Sequence, residues 1–155
     1  MCSQKKRNPF TAFGCAFGYA ARGIARCWRE RNFRFHVAAA VHVIPFARHF
    51  VSSAAEWCVL LLAVALVLWW DAVNTAVEHA VDLACPDYDE RAKIAKDAAA
   101  GAVLIAALAA AAIACVGLAR VDAWQTLLAL WKEQWWRPTA LGVSLAAWMY
   151  LVFRR

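Results

Sequence analysis

The segment Trp57-Cys-Val-Leu-Leu-Leu-Ala-Val-Ala-Leu-Val-Leu-Trp-Trp70-Asp71-Ala-Val-Asn74-Thr-Ala-Val-Glu78-His-Ala-Val81 decides the fold. It is apolar without a break to Trp70, then continues apolar around Asp71, Asn74 and Glu78. About 20 apolar residues suffice for a helix to cross roughly 30 Å of hydrocarbon, so this stretch reads as a membrane span. A second, charge-free run from Ala98 to Ala119 follows Lys96-Asp97 and reads the same way. The rest of the chain agrees. Of 155 residues, 64 % are hydrophobic and 18 % charged, with nine Trp and eight Phe, more apolar surface than a soluble domain of this size can hide. The composition excludes a disordered or collagen-like chain.

Two further spans are expected, over Phe33–Phe50 and Thr139–Phe153, the first interrupted by His36, His42, Pro45, Arg48 and His49. Phe10, Phe13, Phe17, Ile24 and Trp28 fall within about 60° of one another at 100° per residue, with Arg22, Arg26 and Arg29 on another side. That pattern predicts a helix lying in the interface, apolar face toward acyl chains and arginines toward phosphates. The Trp-rich stretch from Val121 to Trp136 predicts a second interfacial helix. The small residues from Ala98 to Ala114 suit close helix approach.

A net charge of +6 would suggest nucleic acid in a soluble protein. Here the basic residues flank apolar runs, so the expected partners are the membrane and its anionic lipids, with no nucleic acid. With the N-terminus inside, the cytoplasmic side holds Lys5, Lys6, Arg7, Arg22, Arg26, Arg29, Arg31, Arg34, Arg91, Lys93, Lys96, Arg154 and Arg155. Only Arg48, Arg120, Lys132 and Arg137 of the 17 basic residues lie outside, so both termini are expected in the cytoplasm. The six cysteines show neither CxxC nor zinc spacing and are expected as free thiols, and no secretory signal is expected in the polar, basic first residues.

Asp71, Asn74, Glu78 and Asp82 follow at i, i+3, i+7 and i+11 and share about 80° of one helix face. Each carboxylate at mid-membrane costs about 2.5–3.5 kcal/mol on insertion scales, so the stripe must face protein, water or a metal. A polar seam between helices and a functional site both satisfy that demand. With Asp82 near the cytoplasmic surface, Glu78 lies about 6 Å deeper and Asp71 about 16 Å deeper. Carboxylates graded in this way, beside Lys96-Asp97, suit Mg²⁺ and a polyphosphate close to a lipid headgroup, and a deeper one suits a base for a lipid hydroxyl. Neither GxxxxGK[ST] nor GxGxxG occurs. His36 reads as a hydrogen-bonded interface neighbour, His42 and His49 lack a third ligand in step, and Asp87-Asp89-Glu90 reads as a solvated loop.

Three blocks resemble the small prokaryotic diacylglycerol kinase family, which includes undecaprenol kinases: Glu30-Arg-Asn-Phe-Arg-Phe-His36, Asn74-Thr-Ala-Val-Glu78-His-Ala-Val-Asp82-Leu, and Ala95-Lys-Asp-Ala-Ala-Ala-Gly-Ala-Val-Leu104. A looser block, Gly18-Tyr-Ala-Ala-Arg-Gly-Ile24, lies on the interfacial helix, and the likeness runs from about Asn8 to Leu118, nearest the undecaprenol kinase branch. The resemblance implies a homotrimer in the bacterial inner membrane that uses ATP and Mg²⁺ to phosphorylate a lipid alcohol. It places Glu30 and Glu78 on the metal, Asn74 beside the catalytic base, and Lys96, Asp97 and Asp82 toward the nucleotide; Arg22, a surface-helix arginine, is expected within reach of the nucleotide as well. The base position, Glu in the family, is Asp71 here, one methylene shorter. The alternative is a catalytically silent member acting as a trimeric scaffold or lipid-binding protein.

The expected fold is thus all-α and integral to the membrane. It comprises an N-terminal segment with an amphipathic surface helix (1–35), a three-span kinase-like core (36–118) and a C-terminal extension with a fourth transmembrane helix (119–155).

Overall fold

The computed structural model describes residues 9–134 and 136–154. Cys2, Lys5, Lys6, Arg7, Trp135 and Arg155, which enter the readings above, lie outside the described residues, as do the side chains of Phe10 and Arg137. All regular structure among the described residues is helical: α1 Pro9–Cys27, α2 Arg31–Ala47, α3 Ala54–Ala84, α4 Glu90–Leu118, α5 Val121–Glu133 and α6 Trp136–Phe153.

The long helices begin at side-chain caps. Ser53 Oγ accepts from the Glu56 amide at 3.2 Å, and Glu56 reaches back to accept from the Ser52 amide at 2.8 Å. These contacts satisfy donors that the first turn of α3 would otherwise leave open. At α4, Asp89 Oδ1 accepts from the amides of Arg91 at 2.6 Å and Ala92 at 3.3 Å. Pro86, just past the end of α3, has no N–H with which to extend it.

Among the described residues, α3 (31 residues) and α4 (29 residues) are long and apolar enough to cross a membrane. They pack together as a hairpin. No residue of α4 is buried, and Leu104, Ile105, Leu108 and Val116 stand 60–75 % exposed, a surface that suits acyl chains or a second protein and not water.

The expected span over Phe33–Phe50 coincides with α2, which begins two residues earlier at Arg31 and ends at Ala47. At 1.5 Å per residue its 17 residues rise about 26 Å, the short end of the range for a span. Phe50 lies beyond the helix end and is buried with Leu127 of α5, where Trp124 meets its ring edge-on at 5.3 Å. The Trp-rich stretch ends its helix at Glu133 and is anchored on α2 through this cluster.

Helix α6 lies antiparallel to α2. Ser144 meets His42 at 3.0 Å, and eight residues on the Val152 carbonyl accepts from Nη2 of Arg34, eight residues back, at 3.2 Å. Trp28, at the end of α1, contacts Trp148 edge-on at 6.2 Å. Phe13, Phe17, Ile24 and Trp28 of the surface helix remain 44–67 % exposed, so the apolar stripe of α1 is uncovered.

Candidate active site

Helix periodicity places Asp71, Asn74 and Glu78 on one face of α3, and this face turns toward α2 and α4. Asp71 is 2 % exposed and Asn74 6 %. Both border a cavity of about 230 Å³ to which α2 contributes Asn32, Phe35 and His36, while α4 supplies an apolar wall between Ala100 and Ala107. The buried carboxylate is not left bare. His36 Nδ1 donates to Asp71 Oδ2 at 2.7 Å, and Thr75 Oγ1 donates to the Asp71 carbonyl at 3.1 Å.

One turn along, Asn74 Nδ2 donates to Glu78 Oε1 at 2.8 Å. This contact uses the donor end of the amide and one of the two carboxylate oxygens. Asn74 Oδ1 is buried with no hydrogen-bond partner among the described residues, although a buried polar oxygen normally has one. An unpartnered amide oxygen beside a half-buried carboxylate is a donor set of the hard-oxygen kind that Mg²⁺ prefers. No three His, Cys, Asp or Glu side chains converge as a complete cage among the described residues. Mg²⁺ commonly takes one or two carboxylates and completes its shell with phosphate and water, so these residues fit it.

Other expected residues stand apart from this cluster. Lys96 and Asp82 form an exposed ion pair that joins the start of α4 to the end of α3. Asp97 is exposed on the first turns of α4, and its side chain makes no hydrogen bond among the described residues. Glu30 is the half-buried residue before α2, and its side chain makes no capping hydrogen bond. Arg22 is turned onto its own helix, where Nε donates to the Gly18 carbonyl at 3.1 Å and the guanidinium lies 4.8 Å from the Tyr19 ring centre. Trp69 and Trp70 stack on each other at 5.8 Å and stay 61 % and 38 % exposed, so neither fills the site beside Asp71.

The site contains a residue that sequence reasoning undervalued. His36 was expected at the interface as a neighbour, but its ring is bonded to Asp71, 35 residues away. Its place in the Glu30–His36 block was the available signal. His42 is engaged through Nδ1 with the Ala38 carbonyl at 2.7 Å and through Nε2 with Ser144. A larger apolar cavity of about 470 Å³ lies at the opposite end of α3, near Phe46, Val59 and Leu118. It is remote from the Asp71–Glu78 stripe, so chemistry and not size selects the smaller one.

The profile described as prokaryotic diacylglycerol kinase matches residues 18–118. The chain is 40 % identical over 117 residues to the undecaprenol kinase of Bacillus subtilis, covering 75 % of this chain and 92 % of that protein. It is 45 % identical over 97 residues to a diacylglycerol kinase of Synechocystis, covering 61 % of this chain and 55 % of that protein. Against the diacylglycerol kinase of Escherichia coli K12 identity is 32 % over 108 residues, covering 69 % and 88 % of the two chains. No solved structure matches. The matched residues run from α1 to the end of α4 and include the whole Asp71–Glu78 stripe, and on these grounds the chain belongs to the prokaryotic diacylglycerol kinase family.

Proposed function

We propose that this lipid kinase transfers the γ-phosphoryl group of ATP to the hydroxyl of a membrane lipid alcohol, undecaprenol or diacylglycerol. The observation that carries the proposal is the buried Asp71, hydrogen-bonded and bordering a cavity, with Asn74 and Glu78 in step on the same helix face. Similarity to the Bacillus subtilis enzyme over 92 % of its length favours undecaprenol.

Asp71 accepts the hydroxyl proton as the lipid oxygen bonds to the γ-phosphorus and the bond to the bridging oxygen of ADP breaks. Asn74 holds Glu78 in place, and Glu78 with the amide oxygen of Asn74 would hold Mg²⁺, Glu30 being the further carboxylate that the family resemblance implies. A metal ion held by these residues would supply charge neutralisation at the phosphates. Lys96, Asp97 and Asp82 receive the nucleotide at the cytoplasmic end of α3 and α4, with Arg22 at the surface helix. Positioning and electrostatics supply most of the catalysis in such transfers.

The working unit we propose is a homotrimer in the bacterial inner membrane with both termini cytoplasmic. The basic residues clustered on one side support that orientation, as does the antiparallel register of α6 on α2, which returns the C-terminus to the side where α2 begins. Residues 1–35 form the surface segment, 36–118 the kinase core and 119–155 an extension docked on α2.

The test follows radiolabelled γ-phosphate from MgATP into the organic extract of purified protein in lipid-like detergent. Undecaprenol and diacylglycerol are offered side by side, with Glu78→Ala as the blank. Label in one lipid, lost in the variant, is the expected result. No label in either lipid would identify the chain as a silent scaffold of the family.

A further inference from the structure

We infer that His36 is a positioning residue for the proton acceptor of this reaction, holding the short side chain of Asp71 through Nδ1–H. The inference rests on the phosphoryl-transfer reading above.

Asp71 is 2 % exposed, and His36 provides the one side-chain hydrogen bond it receives among the described residues. A buried carboxylate without such a donor is strongly disfavoured. The 2.7 Å contact engages Oδ2 alone, so the second carboxylate oxygen stays free to accept the hydroxyl proton. A carboxylate with one oxygen tied has a defined direction. An Asp reaches one methylene less far from its helix than a Glu, so its direction matters more. A displacement of about 1 Å in a reacting group can lower a rate about 10²-fold.

The histidine is itself anchored from outside the site. Helix α2 carries His36 and, two residues earlier, Arg34, whose buried guanidinium is tied to α6 through the Val152 carbonyl. His36 is 17 % exposed and borders the same cavity as Asp71. Its ring is bonded to Asp71, so it acts through the base, which separates positioning from binding.

The experiment compares the full chain with His36→Leu and His36→Asn, with kcat and both KM values read separately. The side-chain amide of Asn offers an N–H close to the place of Nδ1 and nothing at the place of Nε2. Expected is a fall of roughly 10- to 100-fold in kcat for His36→Leu, with KM for lipid and MgATP within about twofold of wild type. His36→Asn should recover most of the loss. Thermal unfolding in the same detergent confirms that each variant is folded, and ¹⁵N NMR of the imidazole reports the Nδ1 proton, a signal that Asp71→Leu should move. Unchanged kcat in His36→Leu, a loss confined to KM, or an Asn variant no better than Leu overturns the positioning role while leaving the kinase reading intact. A wild-type protein that labels neither lipid overturns both.

Discussion

The guanidinium of Arg34 is buried and donates from Nη2 to the main-chain carbonyl of Val152, 118 residues along the chain, at 3.2 Å. This contact joins the helix that carries His36 to α6, beyond the family match at residues 18–118. Arg34 Nε has no partner among the described residues, so Val152 is the acceptor that offsets the burial of this charge. Ending the chain after Glu133 should therefore destabilise the core. Loss of a hydrogen bond to a charged group is worth about 1.5–3 kcal/mol, and the lost packing of α6 on α2 adds to it. Unfolding midpoints in detergent should fall on truncation, and Arg34→Met in the truncated chain should recover part of the fall.

Asp82 is exposed and Lys96 partly so, and the two pair across the end of the α3–α4 hairpin. Exposed pairs contribute at most about 1 kcal/mol, so the pair has little structural reason to be there. Lys96→Met should leave the unfolding midpoint within a few degrees of wild type. It should raise KM for MgATP, because the ammonium is then missing from the nucleotide end. An unchanged KM in steady-state assays would remove Lys96 from the nucleotide contacts.

Asn74 turns its donor to Glu78 and leaves Oδ1 buried and unpartnered. Asn74→Ala frees Glu78 and deletes that oxygen. Titration of activity with Mg²⁺ should then require at least about tenfold more metal, as expected when a partner that orients a ligand is lost. Asn74→Asp should not restore wild-type behaviour, since a second carboxylate repels Glu78.

The span around Trp57 was legible because length and hydropathy are properties of one segment. The shared face of Asp71, Asn74 and Glu78 was legible for the same reason, since 100° per residue is fixed within one helix. The His36–Asp71 bond was not, because it depends on how α2 is rotated against α3, which no periodicity within either helix records. Arg34 illustrates the same limit. Its charge counted it among the basic residues of the cytoplasmic side, whereas α6 covers it and turns it into a buried tie.

Cys27 closes α1 and is buried beside Thr75, close enough to feel Asp71 and Glu30. Burial raises its thiol above the ordinary value, and both carboxylates push the same way. A raised value leaves less thiolate at a given pH. At pH 8, Cys27 should therefore react with iodoacetamide more slowly than an unfolded control, as followed by mass spectrometry. Its rate should climb toward that of the control as pH rises further. Asp71→Asn removes one of the raising charges and should speed the reaction at fixed pH.

Asp71→Glu tests whether the site is built for the shorter carboxylate. The family places Glu at this position, so the change could be expected to restore activity. The 2.7 Å contact to His36 already sets the reach of the carboxylate. With Asp71 2 % exposed and tied to His36, an added methylene must either displace the ring, an overpacking that costs about 1–3 kcal/mol, or turn the carboxylate into the cavity both residues border and lose its set direction. The direction of the result therefore depends on whether His36 can retreat. Expected is a lower kcat for Asp71→Glu than for wild type, with stability also reduced. Pairing Asp71→Glu with His36→Asn, a smaller ring-free donor, should recover part of both losses. A gain in kcat from Asp71→Glu alone would mean that the short side chain is a defect of this enzyme and that His36 is not matched to it.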